Sequence, residues 1–137
     1  KKAEAKHLTL HALMTLASMV EREARFKEDQ VPIASVMLKR LEIGMPLQID
    51  ATIQYALGSP KEELTIADTR IDSPYNTYTH NGLPPGPIGS PGMDAIEAVL
   101  EAKPGEYLYY VAQADGHHVF TKSYEEHQAE TENIYGK

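Results

Sequence analysis

The chain is 137 residues long, contains no cysteine, and carries a formal net charge of -7 from 13 Lys plus Arg against 20 Asp plus Glu. The length suits one compact domain with its own core. The missing cysteines exclude disulfides, thiolate zinc sites and a Cys nucleophile, and the acidic balance argues against nucleic-acid binding, which needs a cationic surface.

The first helix is expected from Leu10, Leu13, Met14, Ala17, Val20 and Ala24, which fall within an arc of about 120° on a helical wheel. Thr9 is its expected N-cap. A second helix is expected from about Asp29 to Ile43, with Pro32 in its first turn and Gly44 as the stop. A third, short helix begins at Asp50 as cap and ends before Gly58. From Ser73 to Met93 there is no Asp, Glu, Lys or Arg, and Pro74–Gly92 holds five prolines and four glycines. That composition excludes helix and central strand and predicts a long ordered loop, which in a compact domain is usually functional. Ser90-Pro91 then starts a helix to about Ala102. Tyr107–Ala112 and His118–Thr121 read as a hairpin around the Asp115-Gly116 turn. Ser123 with Glu126 forms a capping box for a last helix to about Tyr135. The class is α+β: mainly helices, one small hairpin sheet and one long Pro/Gly-rich loop. No run of about 18 apolar residues could span a membrane, so this stretch itself is expected to make no membrane contact.

Among candidate chemical groups, Glu21 lies about 20° from Leu10 and about 40° from Ala17 around the first helix, on the apolar face, whereas Glu23 falls roughly opposite and is expected in solvent. A carboxyl at an apolar position has its pKa raised, as a general acid near neutral pH requires. A salt bridge from Glu21 to Arg25 is the structural alternative. Tyr75-Asn76-Thr77-Tyr78 offers aromatic faces with neutral amide and hydroxyl groups, which suits a neutral polysaccharide. The same residues equally suit a loop packed on the core by its tyrosines. Gln48 could hydrogen-bond a ligand. Asp50 could be a second carboxylate, although helix capping is the preferred role. His127 is either a site residue or a surface residue. His7 and His11 have i, i+4 spacing and His117-His118 are adjacent, but no third ligand has a convincing spacing, so no metal and no cofactor are expected.

With these residues in view, the chain resembles the catalytic domain of the endolytic murein transglycosylases, the YceG-like family. The resemblance is carried by Ala17-Ser18-Met19-Val20-Glu21-Arg22-Glu23, by Arg40-Leu41-Glu42-Ile43-Gly44-Met45-Pro46-Leu47-Gln48-Ile49-Asp50, by Ser73-Pro74-Tyr75-Asn76-Thr77-Tyr78 and by Gly82-Leu83-Pro84-Pro85-Gly86-Pro87-Ile88. Weaker matches follow in Tyr107–Val111 and Phe120–His127. Ile49 stands where the family tends to have Thr. The resemblance implies a lysozyme-like transglycosylase fold and an enzyme that cuts peptidoglycan glycan strands internally, between N-acetylmuramic acid and N-acetylglucosamine, leaving 1,6-anhydro ends. It places the catalytic acid on Glu21 and the glycan-binding loop on Tyr75, Asn76, Thr77 and Tyr78, and it likens Gln48 to the Gln of the Gly-Leu-Met-Gln motif in related transglycosylases; Asp50 and His127 complete the residues expected to bind substrate. It further implies peptidoglycan strands as the substrate, penicillin-binding synthases as possible partners, and a location on the extracytoplasmic face of the bacterial cytoplasmic membrane. The opening Lys1-Lys2-Ala3-Glu4-Ala5-Lys6 reads as the middle of a longer polypeptide. The expectation is a single catalytic domain, 1–137, excised from a protein anchored by an N-terminal helix. The competing expectations are a muramidase-type hydrolase using Glu21 with Asp50, a non-catalytic glycan-binding module, and a scaffold for wall synthases.

Overall fold

A computed structural model describes residues 8–58, 64–113 and 115–135. Among them are five α-helices and one two-stranded antiparallel sheet, the expected α+β class. Helix α1 is Leu10–Glu23, α2 Gln30–Ile43, α3 Asp50–Leu57, α4 Met93–Glu101 and α5 Tyr124–Tyr135; strands β1, Tyr109–Ala112, and β2, His118–Thr121, lie between α4 and α5.

Local signals set most of the helix ends. The Thr9 hydroxyl accepts from Ala12 N at 3.0 Å and starts α1. Gly44 and Gly58 end α2 and α3 with φ of 75° and 80°, the left-handed region that favours glycine. Ser123 Oγ accepts from Glu126 N at 3.1 Å, and Glu126 Oε1 accepts from Lys122 N at 2.9 Å, closing the turn before α5.

Three boundaries differ from expectation, each because a distant group captures a backbone or side-chain atom. Helix α4 starts at Met93, since Gly92 N donates to Glu21 Oε1 at 3.0 Å and Gly92 stays extended; Pro91 precedes the helix instead of opening it. Strand β1 starts at Tyr109, since the Leu108 carbonyl accepts from Arg40 Nε at 2.8 Å. Asp50 is the first helical residue of α3 and does not cap it; Ile49 holds the cap position, and its N–H donates to Thr77 Oγ1 at 2.8 Å.

Helix α1 is the centre of the molecule. It packs against α2, α3 and α4, and Thr15, Leu16, Ala17, Ser18, Met19 and Val20 are buried in succession, so the middle of the helix is covered on every side. Met19, Ile33, Met37, Leu47 and Val99 meet in the core. The Pro/Gly-rich loop lies along this body. Ile88 N donates to Ser18 Oγ at 3.0 Å, and the His11 ring bonds the Pro85 carbonyl at 2.6 Å. The hairpin, in the register Tyr109↔Thr121 and Tyr110↔Phe120, stands against α2 on one side and α5 on the other. The space between helical body and hairpin is the groove described next.

Candidate active site

The groove has a volume of about 410 Å³. Its floor is the C-terminal end of α1, where Glu23 is the last helical residue. Gln48 and Asp50 come from the turn into α3, Tyr78 from the long loop, Tyr109 and Tyr110 from β1, and Tyr124 and His127 from α5. Two carboxylates, Glu23 and Asp50, thus face a lining dominated by aromatic rings and neutral hydrogen-bonding groups, a surface suited to a sugar polymer.

Glu23 is half-buried, and its Oε1 accepts from the Tyr110 hydroxyl at 2.8 Å. Burial pushes its pKa up from the ordinary 4.5 to about 7, with the Asp50 charge adding to the rise. The Tyr110 hydrogen bond, the Ala51 backbone N–H and Arg22 pull the other way without offsetting it. Glu23 is therefore a carboxyl that can both hold and release a proton near neutrality. Asp50 accepts from the Tyr78 hydroxyl in a short hydrogen bond. Burial, and then Asp50, push the Tyr78 hydroxyl well above its ordinary range, so it stays a donor.

Arg40 lies beneath the groove with its guanidinium 5.3 Å from the Tyr109 ring centroid. Its Nε donates to the Leu108 carbonyl and its Nη1 to the Leu47 carbonyl, so one buried cation joins the hairpin to the α2–α3 turn. Burial lowers its pKa, yet an arginine stays charged at any working pH. The His127 ring stacks on Tyr109 at 5.2 Å. Burial, followed by Arg40, lowers its pKa, and its Nδ1 is buried without a hydrogen-bond partner among the described residues.

The structure brings together Gln48, Asp50, Tyr78 and His127 of the residues expected in a site. It does not bring Glu21 there, and the expected burial of the two glutamates is reversed. Glu21 is exposed and binds Gly92 N; Glu23 faces the groove. The helical wheel counts Leu10 on the core face, but Leu10 is 73 % exposed. Glu23 stands one and two turns beyond the wholly buried Met19 and Leu16, and that spacing was the available signal.

Three loop residues also depart from the expected binding role. Asn76 is fully buried, donating to the carbonyls of Thr69 at 3.1 Å and Ile71 at 2.8 Å and accepting from Tyr78 N at 2.9 Å. Thr77 is buried, accepting from Ile49 N and bonded to Thr52 Oγ1 at 2.9 Å. Tyr75 packs against the core and against Tyr55, 4.8 Å between centroids, and does not line the groove. Asn76 and Thr77 have no polar atom to offer a ligand; they hold up the segment that carries Tyr78. The expected helix cap at Asp50 is likewise replaced by its bond to Tyr78. Arg40, Tyr109, Tyr110 and Tyr124 were not foreseen in the site. The tyrosines of this wall lie in Tyr107–Val111 and Phe120–His127, the segments that match the family more weakly.

No group of three or more His, Cys, Asp or Glu among the described residues could hold a metal ion. His7 lies outside the described residues, so the expected His7–His11 pair is not described. His117 and His118 point to Asp29, their Nδ1 atoms 3.6 and 3.3 Å from Asp29 Oδ2. No helix among the described residues is long and apolar enough to cross a membrane.

Known proteins resemble the chain over most of its length. The profile of the YceG-like family matches residues 1–133. An endolytic murein transglycosylase of Bacillus subtilis (strain 168) is 48 % identical over 120 residues, covering 88 % of this chain and 33 % of that protein. An endolytic murein transglycosylase of Streptococcus pneumoniae (strain D39) is 41 % identical over 130 residues, covering 90 % of this chain and 24 % of that protein. The crystal structure of a YceG-like protein from Listeria monocytogenes superposes with a TM-score of 0.88 at 42 % identity, over 93 % of this chain and 42 % of that one. The chain thus spans a third or less of the length of these curated relatives.

Proposed function

The chain belongs to the YceG-like family, and from that premise we propose that it is the part of a lytic transglycosylase that cuts peptidoglycan strands internally, with Glu23 as its acid and base. The observation that carries this reading is the raised carboxyl of Glu23 in an aromatic groove. Protonated Glu23 gives its proton to the glycosidic oxygen as the bond to muramic acid C1 breaks. The resulting carboxylate then takes the proton of that sugar's C6 hydroxyl, whose oxygen closes on C1. The product is a 1,6-anhydro end, no water is consumed, and Glu23 returns to its starting state. One titrating carboxyl with a pKa near the working pH serves both steps. Tyr78, Gln48 and His127 hold the strand, and the rings of Tyr109 and Tyr124 stack on sugar faces. The same reading includes a distant kinship with lysozyme-like transglycosylase folds, supported by an acid at the C-terminal end of a buried helix beside a groove. It also places the protein at the murein layer, outside the cytoplasmic membrane.

Asp50 favours a second reading, a muramidase-type hydrolase, because it supplies another carboxylate in the groove. Its engagement by the Tyr78 hydroxyl argues against a free nucleophile. The experiment is mass spectrometry of purified glycan strands digested with wild type, Glu23→Gln and Glu21→Gln. Anhydro-ended fragments from wild type and Glu21→Gln, with none from Glu23→Gln, are expected. Fragments heavier by one water would establish the hydrolase. Full turnover by Glu23→Gln would remove Glu23 from the chemistry.

A further inference from the structure

We infer that Tyr110 is the positioning residue for the acid: its hydroxyl donates to Glu23 Oε1 at 2.8 Å, which fixes one carboxyl oxygen as an acceptor and leaves the transferable proton to the other. The inference rests on the reading of Glu23 as the acid–base group.

The surroundings of Tyr110 give its hydroxyl one direction. The residue lies within β1, paired with Phe120. Its ring meets His118 edge-on at 5.3 Å and Phe120 at 5.9 Å. His118 is itself held by Asp29, at the N-cap of α2. Arg40 anchors the chain at Leu108, two residues before Tyr110. Acid and hydroxyl are thus supplied by elements 87 residues apart and locked by independent contacts. A carboxyl free to rotate would present either oxygen. One pinned by a donor presents one, which is the geometric condition for proton transfer to a fixed glycosidic oxygen.

The bond also acts on the two halves of the reaction in opposite senses. A donor to Glu23 favours the carboxylate. It therefore eases release of the proton in the first step and moderates the base in the second. Tyr110 keeps its own proton throughout. The other charged or titrating groups toward Glu23 are Arg22 on its own helix, Arg40 on α2, Asp50 on α3, Tyr78 on the loop, His118 on β2 and His127 on α5.

The test is a carbon-13 NMR titration of Glu23 in the full chain, labelled at glutamate carboxyls and assigned with Glu23→Gln. Pairing it with pH–rate profiles on purified murein strands adds a kinetic readout. Wild type should titrate near 7. Tyr110→Phe, which keeps the ring, should titrate roughly one unit or more higher. The alkaline limb of its rate profile should move with it, and the loss should fall on kcat and leave KM in place. An unchanged midpoint and limb, with Glu23→Gln inactive, overturns the inference alone. Turnover by Glu23→Gln overturns the acid assignment beneath it. Should Tyr110→Phe fail to fold, the wild type still decides. A Tyr110 hydroxyl proton that exchanges slowly and shifts with the Glu23 titration supports the bond, and one that ignores that titration refutes it.

Discussion

Glu21 and Glu23 stand two residues apart on one helix and reach opposite sides of it. Glu21 reaches outward to the Gly92 backbone N–H at 3.0 Å, just before α4. There a carboxylate satisfies a donor that the helix itself leaves open and complements the helix dipole. Glu23 turns inward to Tyr110 and the groove. Glu21→Gln keeps a hydrogen-bonding oxygen and should lower stability by about 0.5–1 kcal/mol, seen as a small fall in Tm with turnover within a few-fold of wild type. A loss of turnover near that of Glu23→Gln would contradict this division of roles.

Glu23 should leave a signature in the pH dependence of folding. Its pKa is about 7 in the folded chain against an ordinary 4.5. An acid whose folded-state value is raised holds its proton more tightly when folded. Stability should therefore fall as pH rises from about 4.5 to about 7 and level off above that. The full effect of that difference is roughly 3 kcal/mol. In Glu23→Gln this contribution should vanish, making the variant more stable than wild type at pH 8. Urea unfolding at several pH values would show it. Identical pH profiles for the two proteins would mean Glu23 is not raised.

Asn76 should prove a residue of stability rather than of binding. Its side chain is buried and makes three hydrogen bonds to backbone groups, two at the turn before its loop (Thr69, Ile71) and one within it (Tyr78). Asn76→Ala leaves two carbonyls and one N–H without partners and should destabilise by about 2–4 kcal/mol. The folded fraction should keep its affinity for glycan fragments. A variant with unchanged Tm and weakened glycan binding would return Asn76 to the site.

Arg40 should hold the hairpin in place. Replacing it with Leu leaves the Leu108 and Leu47 carbonyls without their donor. The expected loss is about 2–4 kcal/mol, with faster amide exchange in β1 and β2 than in α1. Arg40→Lys should recover only part of it, since an ammonium lacks the fork that reaches both carbonyls. Uniform exchange throughout the chain in Arg40→Leu would show that the tie is not local.

Gln48 adopts φ 53° without being glycine, at the edge of the groove. Left-handed backbone disfavours most side chains by about 1–2 kcal/mol and concentrates at functional sites. Asn tolerates this conformation better. Gln48→Asn should hold or raise Tm while weakening glycan binding, because the shorter amide no longer reaches as far. Thermal melts and binding of a labelled strand would separate the two effects, and a fall in both would mean the glutamine amide, not the strain, governs the turn.

Much of the architecture was legible from short stretches of sequence. Thr9, Gly44, Gly58 and the Ser123–Glu126 pair mark helix ends through bonds to residues a few positions away, and all four act as their types suggest. The long loop was legible too, since its prolines and glycines exclude helix wherever it packs. The groove was legible only in part. Gln48, Asp50, Tyr78 and His127 line it, while Asn76 and Thr77 turned inward. Polar loop residues look alike in sequence whether they meet a ligand or satisfy buried backbone.

The helices, the hairpin, the acidic and cysteine-free chemistry and the family can all be read along the chain, because each depends on residues close together in it or on motifs in order. The choice of Glu23 over Glu21 as the candidate acid comes from packing. A helical wheel finds the buried face when one side of a helix meets solvent, and α1 is covered on every side through its middle. The pKa of Glu23 depends instead on burial within the groove formed by β1, α3 and the long loop. The Tyr110 hydroxyl that orients it arrives from 87 residues away. Burial and long-range contact belong to the packed molecule, and no local pattern encodes them.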